Sequence, residues 1–283
     1  MPATDDGFSV CMIPLSKDPQ ISTSAVKADL LATWPEMPPL GDTDKSDQSA
    51  VSFTVGDDAH VFLTLMLSPI PWSDLEGPCA TSVLWRDAAA ILRPHTAHLL
   101  VTIMFQGEPS PIEKSTLLTQ VTAALVHTCD AVLGVFWCNA TMVIQPKVFR
   151  EFAVEVLPVG PPLHIWVDIR IGSNEQNSMS GFTAGLAALG HLEIETNNSP
   201  ESPAELRERI ESLIDYLLQN GPVINDGDIV GEDMNEPISA VFSPSSFGHE
   251  GTVMRLDYAS TDKPKENQKK TKKRKKRKTK KKT

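Results

Sequence analysis

Two periods of hydrophobic and polar positions run along this chain, and they predict strands and helices. Nearly continuous apolar runs at 59–67, 98–105 and 131–138 predict central strands covered on both faces, and the shorter run 8–15 predicts a first strand. Helical periodicity marks 24–34 and 78–93, the second with a stripe of Leu84, Ala88, Ile91 and Leu92. The strand–helix–strand order predicts right-handed crossovers that join parallel neighbouring strands.

Capping boxes predict where two further helices begin. Ser110-Pro111-Ile112-Glu113 and Ser202-Pro203-Ala204-Glu205 each form a capping box with proline at the first helical position. The second of these helices carries an apolar stripe and ends at Gly221-Pro222.

The second half of the chain favours strands with one buried face. Residues 163–171 alternate strictly, and 191–196 alternate with Glu193 and Glu195 expected to point outward. Residues 238–242 and 253–258 predict the last strands. The predicted fold class is therefore α/β (α+β), a mixed β-sheet with helices packed on it. We expect a single acidic domain over residues 1–258, with a division into two lobes near 158–162 left open.

Charge separates the end of the chain from the rest. Residues 263–283 hold 14 Lys or Arg and one acid, a charge of +13, whereas residues 1–262 carry −23, so the chain is a polyampholyte. A dense charge block without apolar residues predicts a disordered Lys/Arg-rich tail over 259–283.

The basic tail has several possible roles. Contacts to a polyanion would come from its densest run, Lys272, Lys273, Arg274, Lys275, Lys276, Arg277 and Lys278. The expected partner is nucleic acid bound without sequence preference, since the tail has no aromatic residue for base stacking. A solubilising extension with no partner, or docking on the acidic body, are the alternatives.

Segment composition favours a cytoplasmic protein without membrane association. The first residues include Asp5 and Asp6 where a leader would be basic, and no run approaches the ~20 apolar residues of a membrane span. Four widely spaced cysteines without a CxxC pair predict buried free thiols in a reducing compartment. The sequence leaves the oligomeric state open.

Three groups of residues are candidate ligand-binding sites. His95 and His98 lie three apart, but no neighbouring acid completes an HExxH-like metal set, and contact of His95 with helix-terminal carbonyls is the alternative. Asp226 and Asp228, with Glu232 and Asp233, form either a divalent-cation loop or a solvated turn.

The third group is the glycine-rich segment 181–190. Its glycines, Gly185 among them, and Thr183 could contact a phosphate, but the Lys-Ser/Thr ending of a P-loop is missing. Close packing of backbone on backbone is the alternative role for these glycines. Glu193 follows this segment and joins the set of candidates.

Several motifs resemble a bacterial family called domain of unknown function 4261. They are Pro69-Ile70-Pro71-Trp72, Leu84-Trp85, His95-Thr96-Ala97-His98, Thr183-Ala184-Gly185-Leu186 with Gly190, Glu193-Ile194-Glu195, and the turn Asp226 to Gly231. The resemblance implies one folded unit over roughly residues 60–258, as their order along the chain indicates. It implies no activity, because none is assigned to the family.

The sequence contains no complete catalytic motif, no metal site and no cofactor fingerprint. This favours a non-catalytic binding or regulatory protein whose acidic surface meets a still unknown protein partner. The alternative is a hydrolytic or metal-dependent enzyme that uses His95, His98 and nearby carboxylates.

Overall fold

The structure is a computed structural model, and it describes residues 8–17, 19, 21–43, 50–174, 178–231 and 238–258. The predicted tail, 259–283, lies outside the described residues together with its run 272–278. Glu232 and Asp233 of the predicted acidic turn lie outside them as well.

The first sheet has the strand order β2-β3-β4-β5-β1-β6-β7, and every neighbouring pair in it is antiparallel. Its strands are β1 (Phe8–Leu15), β2 (Leu40–Asp42), β3 (Ala50–Val55), β4 (Ala59–Met66), β5 (Ala97–Phe105), β6 (Val135–Trp137) and β7 (Met142–Ile144). The predicted parallel neighbours are therefore wrong. β4 and β5 pair antiparallel, and β1 inserts between β5 and β6, which run in the same direction without touching.

The helices flank the sheets. They are α1 (Thr23–Thr33), α2 (Trp72–Thr81), α3 (Ala88–Leu92), α4 (Pro111–Thr128), α5 (Pro146–Glu151), α6 (Leu163–Trp166) and α7 (Pro203–Asn220), and a π-helical turn (Phe152–Val156) follows α5. Both predicted capping boxes form, at Ser110 with Glu113 and at Ser202 with Glu205. Within the described ranges, no helix combines the length and the apolar character that crossing a bilayer requires.

The predicted single helix 78–93 is in fact α2 and α3 with a loop between them. Nine residues separate Cys79 from Ala88, so a continuous helix at about 100° per residue would put them on roughly opposite faces. The break lets both side chains enter the same hydrophobic cluster. It also leaves Leu84 in the loop, 59% exposed, instead of on a buried stripe.

The second sheet has the order β11-β12-β10-β9-β8. Its strands are β8 (Asp168–Ser173), β9 (Met179–Ala184), β10 (Ile194–Ser199), β11 (Ile238–Pro244) and β12 (Thr252–Tyr258), and only the β10–β12 pair among them is parallel. The predicted strand 163–171 begins instead as helix α6. Ile165 and Trp166 are both buried there, and a helical turn buries adjacent residues that a strand would point to opposite faces.

A continuous hydrophobic core joins the two sheets. It includes Ile13 and Val101 of the first sheet, Ile194 and Leu256 of the second, and Leu118 of α4. A smaller cluster on the other side of β6 contains Leu75, Trp85 and Phe136. The chain thus has the predicted mixed α/β architecture with helices packed on the sheets. The division into two lobes stays a prediction.

Candidate functional site

His95 is held as a neutral imidazole by two buried hydrogen bonds. The backbone N–H of Ile70 donates to its Nε2 (2.7 Å), so Nδ1 carries the proton and donates to the carbonyl of Leu92 (2.6 Å). Burial lowers the pKa of His95, the Leu92 carbonyl opposes this, and the nearby His98 adds to the lowering. Both ring nitrogens are therefore used in joining the end of α3 to the residues before α2.

His98 lies at the start of β5 and is also buried. Its Nδ1 donates to the carbonyl of Ser68 (2.8 Å), which ties β5 to the segment after β4. The part of the chain that the structure describes contains no group of three or more His, Cys, Asp or Glu side chains placed to hold a metal ion.

Thr183, Gly185 and Glu193 converge in one buried network. The Thr183 hydroxyl donates to Glu193 Oε2 (2.7 Å), while the backbone N–H groups of Gly185 (2.8 Å) and Ala187 (3.0 Å) donate to Oε1. The same hydroxyl accepts the backbone N–H of Ile194 (2.8 Å). The Glu193 carboxylate therefore fixes the turn between β9 and β10.

The predicted outward direction of Glu193 and Glu195 is wrong. Glu193 is 7% exposed and Glu195 is fully buried. Glu195 accepts the hydroxyl of Ser245 and the backbone N–H of Ser246 (2.8 Å). A buried carboxylate is tolerated when donors satisfy its oxygens. For Glu193 they come from the preceding turn, and for Glu195 from a loop distant in sequence.

The glycine segment packs backbone against backbone. Gly185 has φ +115°, and a Cβ there would lie 2.3 Å from the carbonyl oxygen of Trp166. At Gly181 a Cβ would lie 3.0 Å from the carbonyl oxygen of Arg170. These contacts support the packing interpretation, since the Thr183 hydroxyl that a phosphate would need is already bonded on both sides.

Asp226 and Asp228 belong to a turn that covers the outer edge of β11. Asp226 Oδ1 accepts the backbone N–H of Phe242 (2.7 Å), and Asp228 Oδ2 accepts that of Asn225 (2.8 Å). The backbone of Asp228 accepts from Ala240 (2.8 Å). The turn protects an edge strand that would otherwise offer unpaired backbone groups.

The three candidate groups do not form a single site. His98 lies on β5 of the first sheet, and His95 lies in the turn just before that strand. Thr183 lies on β9 of the second sheet, three strand spacings or about 14 Å from β11, and Asp226 lies beyond β11.

A large concavity lies elsewhere, between edge strand β7 of the first sheet and edge strand β8 of the second. We call it the inter-sheet groove, and its volume is about 550 Å³. Apolar side chains form most of its walls. Its polar rim comes from the end of α2 and the residue after it, from α6, from the start of β8 and from α7: Thr81, Ser82, His164, Asp168, Arg207, Glu211 and Asp215.

Sequence reasoning missed this groove. Its residues come from five separate segments between Pro78 and Asp215, so no local motif marks it. The one available signal was the apolar pair Val83-Leu84, of which the helical periodicity assigned Leu84 to a buried stripe. In the structure these two side chains are 80% and 59% exposed.

A cysteine nucleophile is not favoured at the site of the Trp137-Cys138 pair. Burial raises the pKa of Cys138 to about 11, so its thiol stays protonated at neutral pH. Cys11 and Cys79 are buried as predicted, whereas Cys129 and Cys138 are only half-buried.

Residues 182–257 match the family described as Domain of unknown function (DUF4261). The matched segment runs from β9 to β12 and holds Thr183, Gly185, Glu193, Asp226 and Asp228, so the predicted resemblance is confirmed there. The motifs of the first half lie outside it, and their resemblance stays a prediction. No curated protein and no solved structure matches the chain.

Proposed function

We propose that this chain is a non-catalytic binding protein with two binding parts. The acidic folded domain binds a protein partner, and the polybasic tail binds nucleic acid without sequence preference. The observation that carries the proposal is the charge separation, −23 over residues 1–262 against +13 over residues 263–283. Such blocks attract opposite partners, since each attracts the charge that the other repels.

The use of the candidate catalytic groups supports a binding role. A general base needs a lone pair that can reach a substrate, and a nucleophile needs a nearby base. The lone pair of His95 accepts from Ile70, and the carboxylate of Glu193 accepts three donors of its own chain. These groups hold the fold together.

The tail supports contact with phosphate backbones. Lysine and arginine that neutralise phosphates release condensed counterions, and this release favours binding. If the seven cations of 272–278 each neutralise one phosphate of a single strand, the log–log salt slope is about −5.

Anisotropy titration of labelled single-stranded RNA tests the proposal. It uses the full chain, a chain ending at Asp262, the isolated peptide 263–283, and a full chain with the run 272–278 changed to glutamine. We expect the full chain and the peptide to bind with a steep salt slope and the shortened chain not to bind. The neutralised chain, which keeps seven lysines in 263–283, should bind more weakly and with a shallower slope. RNA binding by the chain ending at Asp262 would contradict the proposal, because a surface of −23 repels phosphate.

A further inference from the structure

We propose that the inter-sheet groove binds a short segment of a partner protein that carries apolar side chains flanked by Lys or Arg. This rests on the proposed function, since it assigns a site and a partner chemistry to the folded domain. The volume of about 550 Å³ is in the range of sites that accept a few side chains.

The walls of the groove provide the apolar part of the site. Leu84, Met142, Ile144 and Leu163 are among the eleven apolar residues in a set of eighteen that line it. At its rim Val83 is 80% exposed, so the apolar surface continues beyond the cavity. An occupant longer than a small molecule can cover both the cavity and the rim.

Hydrogen bonds fix the shape of the groove. The Ser82 hydroxyl donates to the carbonyl of Val143 on β7 (3.3 Å), and Arg207 donates to the carbonyl of Ile169 on β8 (2.8 Å). One carbonyl on each facing edge strand is thereby satisfied by a side chain. The groove therefore exists before a ligand arrives, which lowers the entropic cost of binding.

The charges at the rim favour a partner segment with positive charge. Asp168 pairs with Arg170 (2.6 Å), and Arg207 lies 3.6 Å from Glu211. Asp215 is exposed and makes no ion pair with the described residues. The rim thus has an excess of negative charge, and it favours a cationic flank on the occupant.

The same observations decide against other occupants. The segment 263–283 of this chain is cationic but contains no apolar side chain apart from Pro264, so it cannot fill the walls. A second copy would place its own residues 1–262, which carry a net charge of −23, against the same acidic rim. An anionic lipid or a nucleic acid would be repelled by the acidic side chains of α7.

Fluorescence anisotropy with three labelled peptides tests the groove on the full chain at physiological salt. The probe alternates leucine with lysine, a second peptide has serine in place of leucine, and a third has glutamate in place of lysine. We expect the leucine–lysine peptide to bind about tenfold more tightly than the serine–lysine peptide, because one buried leucine contributes about that factor. The leucine–glutamate peptide is repelled by the acidic rim, and any binding of it by the basic tail should not change in a groove variant. Equal binding of the serine–lysine peptide, or no binding of the leucine–lysine peptide, would overturn the proposal.

Variants place the binding in the groove. Leu84→Asp should weaken the leucine–lysine peptide about tenfold, since it puts a carboxylate among the apolar walls. Ile229→Asp is the matched control, because Ile229 is 57% exposed beside β11, at the opposite edge of the second sheet. The control should bind as the unchanged chain does. An equal loss in both variants would overturn the assignment, with circular dichroism showing that each variant is folded.

A charge variant tests the rim separately. Asp215→Asn combined with Glu211→Gln should weaken the same peptide about threefold to tenfold, whereas Glu208→Gln on the exposed side of α7 should not. No difference between the two would overturn the charge argument. The peptide titration reports on the groove and the RNA titration on the tail, so failure of one is distinguishable from failure of the other.

Discussion

The carboxylate of Glu193 offers the sharpest test of how the second sheet is held. Glu193→Ala removes the acceptor of the Thr183 hydroxyl and of the Gly185 N–H, both in buried residues. Each buried donor left without a partner costs about 1–3 kcal/mol. Ala187, which supplies the third donor, is exposed, so water can accept the hydrogen bond of its N–H in the variant. We therefore expect a loss of about 2–6 kcal/mol in the free energy of unfolding, with two donors at that cost.

Glu193→Gln separates hydrogen bonding from charge. Its amide oxygen can still accept from Gly185 and Ala187, but the amide nitrogen then faces Thr183, whose own hydrogen loses its acceptor. The expected cost is about 1–3 kcal/mol, as for one unsatisfied donor.

Urea unfolding followed by tryptophan fluorescence measures both variants, with Glu208→Ala on the exposed face of α7 as the control. The control should change the free energy of unfolding by no more than about 0.5 kcal/mol. A loss that small for Glu193→Ala, at an unchanged slope against urea, would refute the account of the network.

Three further outcomes follow from the structure. Leu217 is 3% exposed on α7, so Leu217→Ala should cost about 2–5 kcal/mol in urea unfolding, well above Glu208→Ala. Burial, the largest cause, lowers the folded-state pKa of His95. The stability that neutral His95 contributes is therefore complete above the unfolded pKa of about 6.5 and falls as pH drops below it. Melting curves of His95→Gln should show a smaller fall in melting temperature over that pH range than those of the unchanged chain. Removal of 263–283 should leave the melting temperature at physiological salt unchanged, because Tyr258 at the end of β12 is already anchored by its hydrogen bond to Glu201 (2.6 Å).

Local signals predicted much of this fold. The apolar run 8–15 is β1, and the two capping boxes start α4 and α7 at the predicted residues. Each depends on neighbours within a few positions of the chain, and such signals survive without knowledge of the rest of the fold.

Long-range partners decided the features that the sequence did not predict. β1, from the start of the chain, pairs with both β5 and β6, so the two strands that α4 connects are not neighbours. The burial of Glu195 depends on Ser245 and Ser246, fifty positions away. Glu195 was predicted to point outward because its own segment gives no sign of the donors that satisfy its carboxylate.

The family match and the inter-sheet groove direct attention to different parts of the molecule. Within the matched segment, the buried carboxylates hold loops: Glu193 fixes the turn after β9, and Glu195 fixes the loop after β11. Asp226 caps the covered edge of β11. These contacts explain the residue types of the signature through the fold alone, without a ligand. The groove walls, in contrast, come mostly from residues before 182. Most groove side chains can therefore change without loss of the contacts that hold the matched segment together.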